Sequence, residues 1–360
     1  MKLAHYREED EVGKKVEVTG IATEFKKEQA KFGMRYELTL KDKNVMKKFS
    51  TFDNLGLSRD VEGMLLDVTL YAKPPKEVNG KVYANIVSVK VSEDNIKDYE
   101  DNLDVQKYLT LLNQQVSLIK DDKIKALVSN LVTNEYFECV GGLTMHHSYK
   151  FGLGQHIVSV CQYALKIADV YEEIGNQNIN RDILIAGALL HDVGKTAEYK
   201  LLPAGSGKMS EDSAVQQHIV SGIRRIERQA TIMGIPEEDE SLKLIMHIVA
   251  SHHGKMSMGS PSEPATLEAI IVSNADMIDF RMNNFDLKAE TLKDGESATV
   301  FAGSERFNYY MNTLNQEDKN KPRLVETTSP TNEQQNLEWE GYPEEPEFLD
   351  EDCTGNDAGF

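Results

Sequence analysis

From Lys15 to about Val91, hydrophobic and polar residues nearly alternate in the segments KVEVTGIATEF, RYELTLKD, MKKFSTFD, MLLDVTLYA and KVYANIVSVKV, with turn signals between them. Successive side chains of a strand point to opposite faces, so this pattern predicts short half-buried strands. About five strands, with VNGK as a hairpin turn between the last two, predict a small Greek-key barrel of the OB kind. Other compact barrels remain open.

Beyond Leu103 the period changes. In LDVQKYLTLLNQQVSLI and KIKALVSNLV apolar residues recur at three and four, which predicts helices connecting two domains. Further helical patterns follow: QHIVSVCQYALKIADVYEEI, DILIAGALLHDVGK, AVQQHIVSGIRRIERQA, ESLKLIMHIVASHH and PATLEAIIVSNADMIDFRMN, punctuated by Pro236 and by GKMSMGSPSEP. After about Asn315 the chain is polar and acidic, with Pro322, Pro330, Pro343 and Pro346, and predicts disorder. The expected fold class is multidomain α+β. An OB-like β-barrel occupies 1–95, a helical connector 96–138, an all-α helical bundle 139–314 and a disordered acidic tail 315–360.

Length and composition agree with this division. A chain of 360 residues exceeds what one core usually holds, and 40% hydrophobic content suffices for two. No apolar run approaches the roughly 18 residues of a membrane span, and MKLAHYREED is no signal segment, so no membrane partner and a cytoplasmic location are expected. Cys139, Cys161 and Cys353 form no C-x-x-C pair and are expected to be reduced thiols. The net charge of −19 argues against a polyphosphate partner. That charge is unevenly spread, however: residues 1–90 hold 17 Lys and Arg against 14 Asp and Glu, while residues 316–360 hold 13 acidic and 3 basic residues.

All the histidines except His5 fall between His146 and His253, and several lie at the predicted helix ends. His156 opens one helix, His191 and Asp192 close the next, His218 is near the start of a third, His252 and His253 end a fourth, and Asp276 lies in the fifth. A buried His–Asp doublet needs partners, and imidazoles and carboxylates from several helices can surround a metal at one end of a bundle. For any one of them alone, a capping or core histidine is the simpler reading.

The ordered set His156, His191-Asp192, His218, His252-His253 and Asp276, with HDVGK, SHHGK and SNADMID around it, resembles the metal-dependent HD-domain phosphohydrolases over residues 135 to 290. The barrel in front, the HHSYKFGLGQH stretch and GSPSEP are similar to the YhaM-type 3′-to-5′ exoribonucleases. The resemblance implies two divalent transition-metal ions. His156, His191, Asp192 and Asp276 would hold one, and Asp192 would bridge to a second held by His218, His252 and His253. Manganese is favoured; iron, cobalt, nickel and zinc suit the same nitrogen and oxygen ligands.

Other residues carry two readings each. Lys195 could stabilise charge on a substrate phosphate or serve as a cation at a helix C-terminus. His146 and His147 could bind phosphate or protonate a leaving oxygen, or be loop histidines without a role. Asp279 could orient a ligand or face solvent. His247 and His5 are left out of the site. In the barrel, Phe25, Lys26, Lys27, Lys31, Phe32, Arg35 and Tyr36 interleave rings and cations as single-strand binders do, although aromatics in alternating strands are more often core.

The resemblance implies phosphodiester hydrolysis by a 3′-to-5′ exonuclease on single-stranded RNA, with DNA as a further substrate. The alternatives are a phosphohydrolase of small or cyclic nucleotides, and a single-strand-binding adaptor with a structural metal site. A homo-oligomer is compatible with the sequence. The acidic ending DEDCTGNDAGF suits either a protein-partner tail or a solubilising one.

Overall fold

The computed structural model of the protein describes residues 1, 3, 6–43, 45–73, 83–99, 103–143, 146–175, 178–202, 205–289, 292–302 and 305–312. The expected disordered tail over 315–360, with Cys353, the VNGK turn and His5, lies outside the described residues.

Strands β1 (Lys15–Ala30), β2 (Gly33–Asp42), β3 (Val45–Thr51), β4 (Leu65–Lys73) and β5 (Tyr83–Val91) close into a barrel in the order β1-β2-β3-β5-β4. Closure depends on the length of β1. Its first half pairs with β4, from Lys15 opposite Tyr71 to Ile21 opposite Leu65. Its second half pairs with β2 as far as Ala30 opposite Gly33, and the register shifts between Ala22 and Glu24, where such an irregularity lets one strand bend between two partners. The alternation in the sequence sends Val18, Leu38, Leu40, Phe49, Leu66, Val68, Leu70 and Ile86 into the barrel core.

Nine helices follow among the described residues: α1 (Val105–Ser117), α2 (Asp122–Leu131), α3 (Asn134–Glu138), α4 (Gly152–Glu173), α5 (Arg181–Leu190), α6 (Lys195–Glu198), α7 (His218–Ile232), α8 (Glu240–Ser251) and α9 (Leu267–Ala289). Asp104, Asp121, Thr133, Asn180 and Asp239 cap α1, α2, α3, α5 and α8, each side chain accepting a backbone N–H of the first turn. Every residue of α5 from Ile183 to Leu190 is buried, as a helix apolar on all sides requires, so α5 is the central helix.

Two findings depart from the sequence reading. The segment read as a connector packs into the bundle: Leu112, Ile124, Leu127 and Val128 share one core with α4 and α5, and the Tyr136 hydroxyl donates to the Leu189 carbonyl at 2.9 Å. The region expected to be all-α also contains two hairpins, β6 (Tyr199–Leu201) with β7 (Gly207–Met209), and β8 (Ser297–Ala302) with β9 (Glu305–Tyr310). Strands of three to six residues carry too few alternations to stand out beside long helices. Among the described residues, no helix is long and apolar enough to cross a membrane.

Candidate metal centre

The ends of four helices and the middle of a fifth meet at one point. His191 and His252 occupy equivalent places: each ends its helix, and each directs Nδ1 to the carbonyl three residues back, Ala188 and Val249, at 2.8 Å. A carbonyl only accepts, so both Nδ1 atoms carry the proton and both Nε2 atoms present a lone pair. His253 does the same toward the Met258 carbonyl at 3.0 Å. His156 Nδ1 donates to Asp279 Oδ2 at 2.7 Å and His218 Nδ1 to Glu198 Oε2 at 2.5 Å. Five imidazoles are thus locked in one tautomer, with Nε2 free to coordinate.

These Nε2 atoms form two clusters divided by Asp192. In the first, His156 Nε2 lies 3.1 Å from His191 Nε2 and 3.3 Å from both Asp192 Oδ2 and Asp276 Oδ1. In the second, His218 Nε2 lies 3.3 Å from His253 Nε2, while Asp192 Oδ1 is 3.7 Å from His218 Nε2 and 3.6 Å from His252 Nε2. Ligands bonded at about 2.1 Å to one ion stand roughly 3.0 to 3.5 Å apart, close to most of these separations. Facing lone pairs repel unless a cation or a shared proton lies between them. Buried Asp192 Oδ1 and His252 Nε2, moreover, have no hydrogen-bond partner among the described residues. The donor set would suit divalent metal, with Asp192 presenting one oxygen to each cluster.

The electrostatics agree. Burial alone would raise the pKa of Asp192, but Lys195, whose Nζ is 2.7 Å from Oδ2, and the adjacent His191 hold it well below the usual carboxylate range. Asp276 is likewise held low against its burial by hydrogen bonding to His156. Burial would lower His156, yet contacts with Asp192, Asp276 and Asp279 raise it well above an ordinary histidine, so without a metal a proton on Nε2 takes the place that a cation would hold. The first cluster is therefore built to stabilise positive charge. In each cluster one ligand is less buried than the rest, Asp276 in the first and His253 in the second, which marks the open side of the centre.

All six residues predicted with Asp192 as ligands converge here, but the other predicted contacts fare differently. His147 is fully enclosed rather than facing a substrate. Its Nε2 meets Asp279 Oδ2 at 2.7 Å and its Nδ1 meets the Tyr149 hydroxyl at 3.1 Å, so it buttresses Asp279 from behind. These bonds account for the proximity of His147, His156 and Asp279 without a third ion. His146 stands edge-on to His156 with ring centroids 5.5 Å apart and has no hydrogen-bond partner for its buried Nδ1 among the described residues. Lys195 is not at a helix C-terminus but starts α6, with Nζ donating to the Gly141 carbonyl at 2.5 Å and pairing with Asp192. A side chain so engaged compensates the ligand charge.

In the barrel, Phe25 and Tyr36 are corrected from surface to core. They are 2% and 9% exposed and stack on each other at 6.4 Å, because the alternation turns them inward. Lys27 lies over both rings. Lys26 pairs with Glu24, and Arg35 with Glu28 and Glu37, so much of the expected positive surface is neutralised. Phe32, at the turn between β1 and β2, is 82% exposed with Lys31 Nζ 5.6 Å from its ring.

Glu198 was missed by sequence reasoning. Its signal is position, one turn after Lys195 in HDVGKTAE, on the short helix that faces the start of α7. Gly194 of the same motif has a packing reason: a Cβ there would lie 1.9 Å from the His218 carbonyl oxygen and 2.5 Å from Gly222 N.

Residues 153–281 match the HD domain family. The chain is 31% identical over 236 residues to the 3′-5′ exoribonuclease YhaM of Bacillus subtilis (strain 168), covering 62% of this chain and 71% of that protein. It is 28% identical over 230 residues to the protein of the same name from Bacillus pumilus (strain SAFR-032), covering 61% and 69%. No solved structure matches it.

Proposed function

Because this chain belongs to the HD-domain superfamily and, within it, to the family of the YhaM-type proteins, we propose that it is a metal-dependent 3′-to-5′ exonuclease on single-stranded RNA, with single-stranded DNA as a further substrate. The observation that carries this reading is Asp192, whose two oxygens face two separate histidine clusters. His156, His191 and Asp276 on one side of Asp192, and His218, His252 and His253 on the other, would hold two divalent ions, manganese favoured, which when bound would supply water activation and charge stabilisation for phosphodiester hydrolysis.

The chain's own residues prepare that chemistry. Asp279 and Glu198 fix the tautomers of His156 and His218. Lys195 keeps Asp192 ionised and still. The buried residues of α5 and α8 back the centre, and Asp276 and His253 are its less buried ligands. The barrel, with Phe32 and Lys31 exposed at a hairpin turn, guides the strand toward that side.

The test is digestion of 5′-labelled single-stranded RNA with a free or a blocked 3′ end, with and without manganese. A ladder of shortened products from the free end only, lost in Asp276→Asn, is expected. Asp276 is the better inactivating position because it leaves no buried lysine unpaired. Hydrolysis of small or cyclic nucleotides with no digestion of RNA would replace this reading by the small-nucleotide one.

A further inference from the structure

We propose that the β8–β9 hairpin and Arg281 form a contact for the 3′-terminal nucleotides of the strand, an inference that rests on the exonuclease reading. The two partly accessible ligands, Asp276 and His253, lead to this same hairpin. One helical turn beyond Asp276, Phe280 meets Phe307 of β9 edge-on with centroids 5.5 Å apart. Two residues beyond His253, Lys255 pairs with Glu305 at the start of β9 at 3.2 Å. The hairpin therefore borders the open side of the centre at two places.

Its chemistry is that of single-strand recognition. A succession of rings runs outward from the first cluster: His156 to His146 at 5.5 Å, His146 to Phe280 at 4.8 Å, and Phe280 to Phe307 at 5.5 Å. At its outer end the exposed Arg281 places its guanidinium 5.5 Å from the half-buried Phe307 ring. Arg281 forms no ion pair with a carboxylate among the described residues, unlike Arg35 and Lys26 in the barrel, and its polar neighbour is the Tyr309 hydroxyl of the same hairpin. An aromatic ring beside a guanidinium that no carboxylate neutralises suits a stacked base and the phosphate next to it. The hairpin is also tied to the N-terminal arm of the barrel, where Glu296 accepts two hydrogen bonds from Arg7 at 3.1 and 2.9 Å.

The experiment compares wild type, Arg281→Ala and Phe307→Leu on two substrates, single-stranded RNA and the small diester bis(4-nitrophenyl) phosphate. Each variant is expected to raise KM for RNA about tenfold, the scale of one lost stacking contact, with kcat and small-diester hydrolysis within twofold of wild type. Phe307→Leu keeps the apolar contact with Phe280, and Arg281→Ala alters an exposed side chain, so folding is preserved. Unchanged KM for RNA in both variants overturns the inference while wild-type digestion stands. Equal losses on both substrates also overturn it, because they indicate a packing role. If wild type digests no RNA, the exonuclease reading fails first and this contact with it.

Discussion

Glu198 accepts the Nδ1 proton of His218 at 2.5 Å, from a four-residue helix that starts three residues after Asp192. The bond aims His218 Nε2 at the second cluster, and nothing else among the described residues holds that ring's Nδ1. Glu198→Gln is expected to weaken the second ion about 10- to 100-fold and leave the first in place. Calorimetric manganese titration would show one site displaced and one kept. Two unchanged sites would remove Glu198 from the centre.

Asp192 and Lys195 are both buried and 2.7 Å apart, so neither can be neutralised alone without leaving a charge uncompensated. Asp192→Asn should cost about 3–5 kcal/mol of stability in metal-free protein, and adding Lys195→Met should recover much of it. A double-mutant cycle by urea denaturation reads the coupling. Additive losses would contradict the pairing.

Gly194→Ala would drive a methyl group into the His218 carbonyl, which is backbone and cannot rotate away. We expect a loss of about 3 kcal/mol or more and weaker binding at the second cluster, since α7 must shift with His218. Thermal melting with and without manganese measures both. A variant as stable as wild type would show that the two segments can separate freely.

Phe25 and Phe32 of the barrel should behave oppositely. Phe25→Ala removes a core ring and should cost about 3–5 kcal/mol. Phe32→Ala, at an 82% exposed position, should leave the melting temperature unchanged and weaken binding of single-stranded oligonucleotide. Fluorescence anisotropy at low salt checks the second half; unaltered binding would exclude the turn from the strand's path.

Hydrogen bonding from Arg7, followed by a bond with Lys293, lowers the carboxyl of Glu296 to about 2. Its folded pKa lies below the unfolded one, so the contribution is present above the ordinary Glu pKa of about 4.3 and is lost as pH falls from there toward 2. The difference in melting temperature between wild type and Glu296→Gln should therefore be largest near neutral pH and shrink below about pH 4. A constant gap would mean that Glu296 acts through packing alone.

Much of this protein is readable from local pattern. Alternation along β1 to β5 specifies strands, threefold and fourfold recurrence specifies α4, α5 and α7 to α9, and the order of His156, His191-Asp192, His218, His252-His253 and Asp276 carries the resemblance to the HD-domain proteins, because residue type and spacing are properties of the chain itself. What required tertiary structure is direction. Phe25 and Phe32 look alike in a string of letters, yet one ring is packed inside a closed barrel and the other stands in solvent. Asp279 could face water or a ligand by spacing alone, and only the approach of α4 to α9 brings it to His156 and His147. Glu198 and the β8–β9 hairpin act through neighbours distant in sequence, and a bond between distant residues exists only once the chain has closed the loop between them.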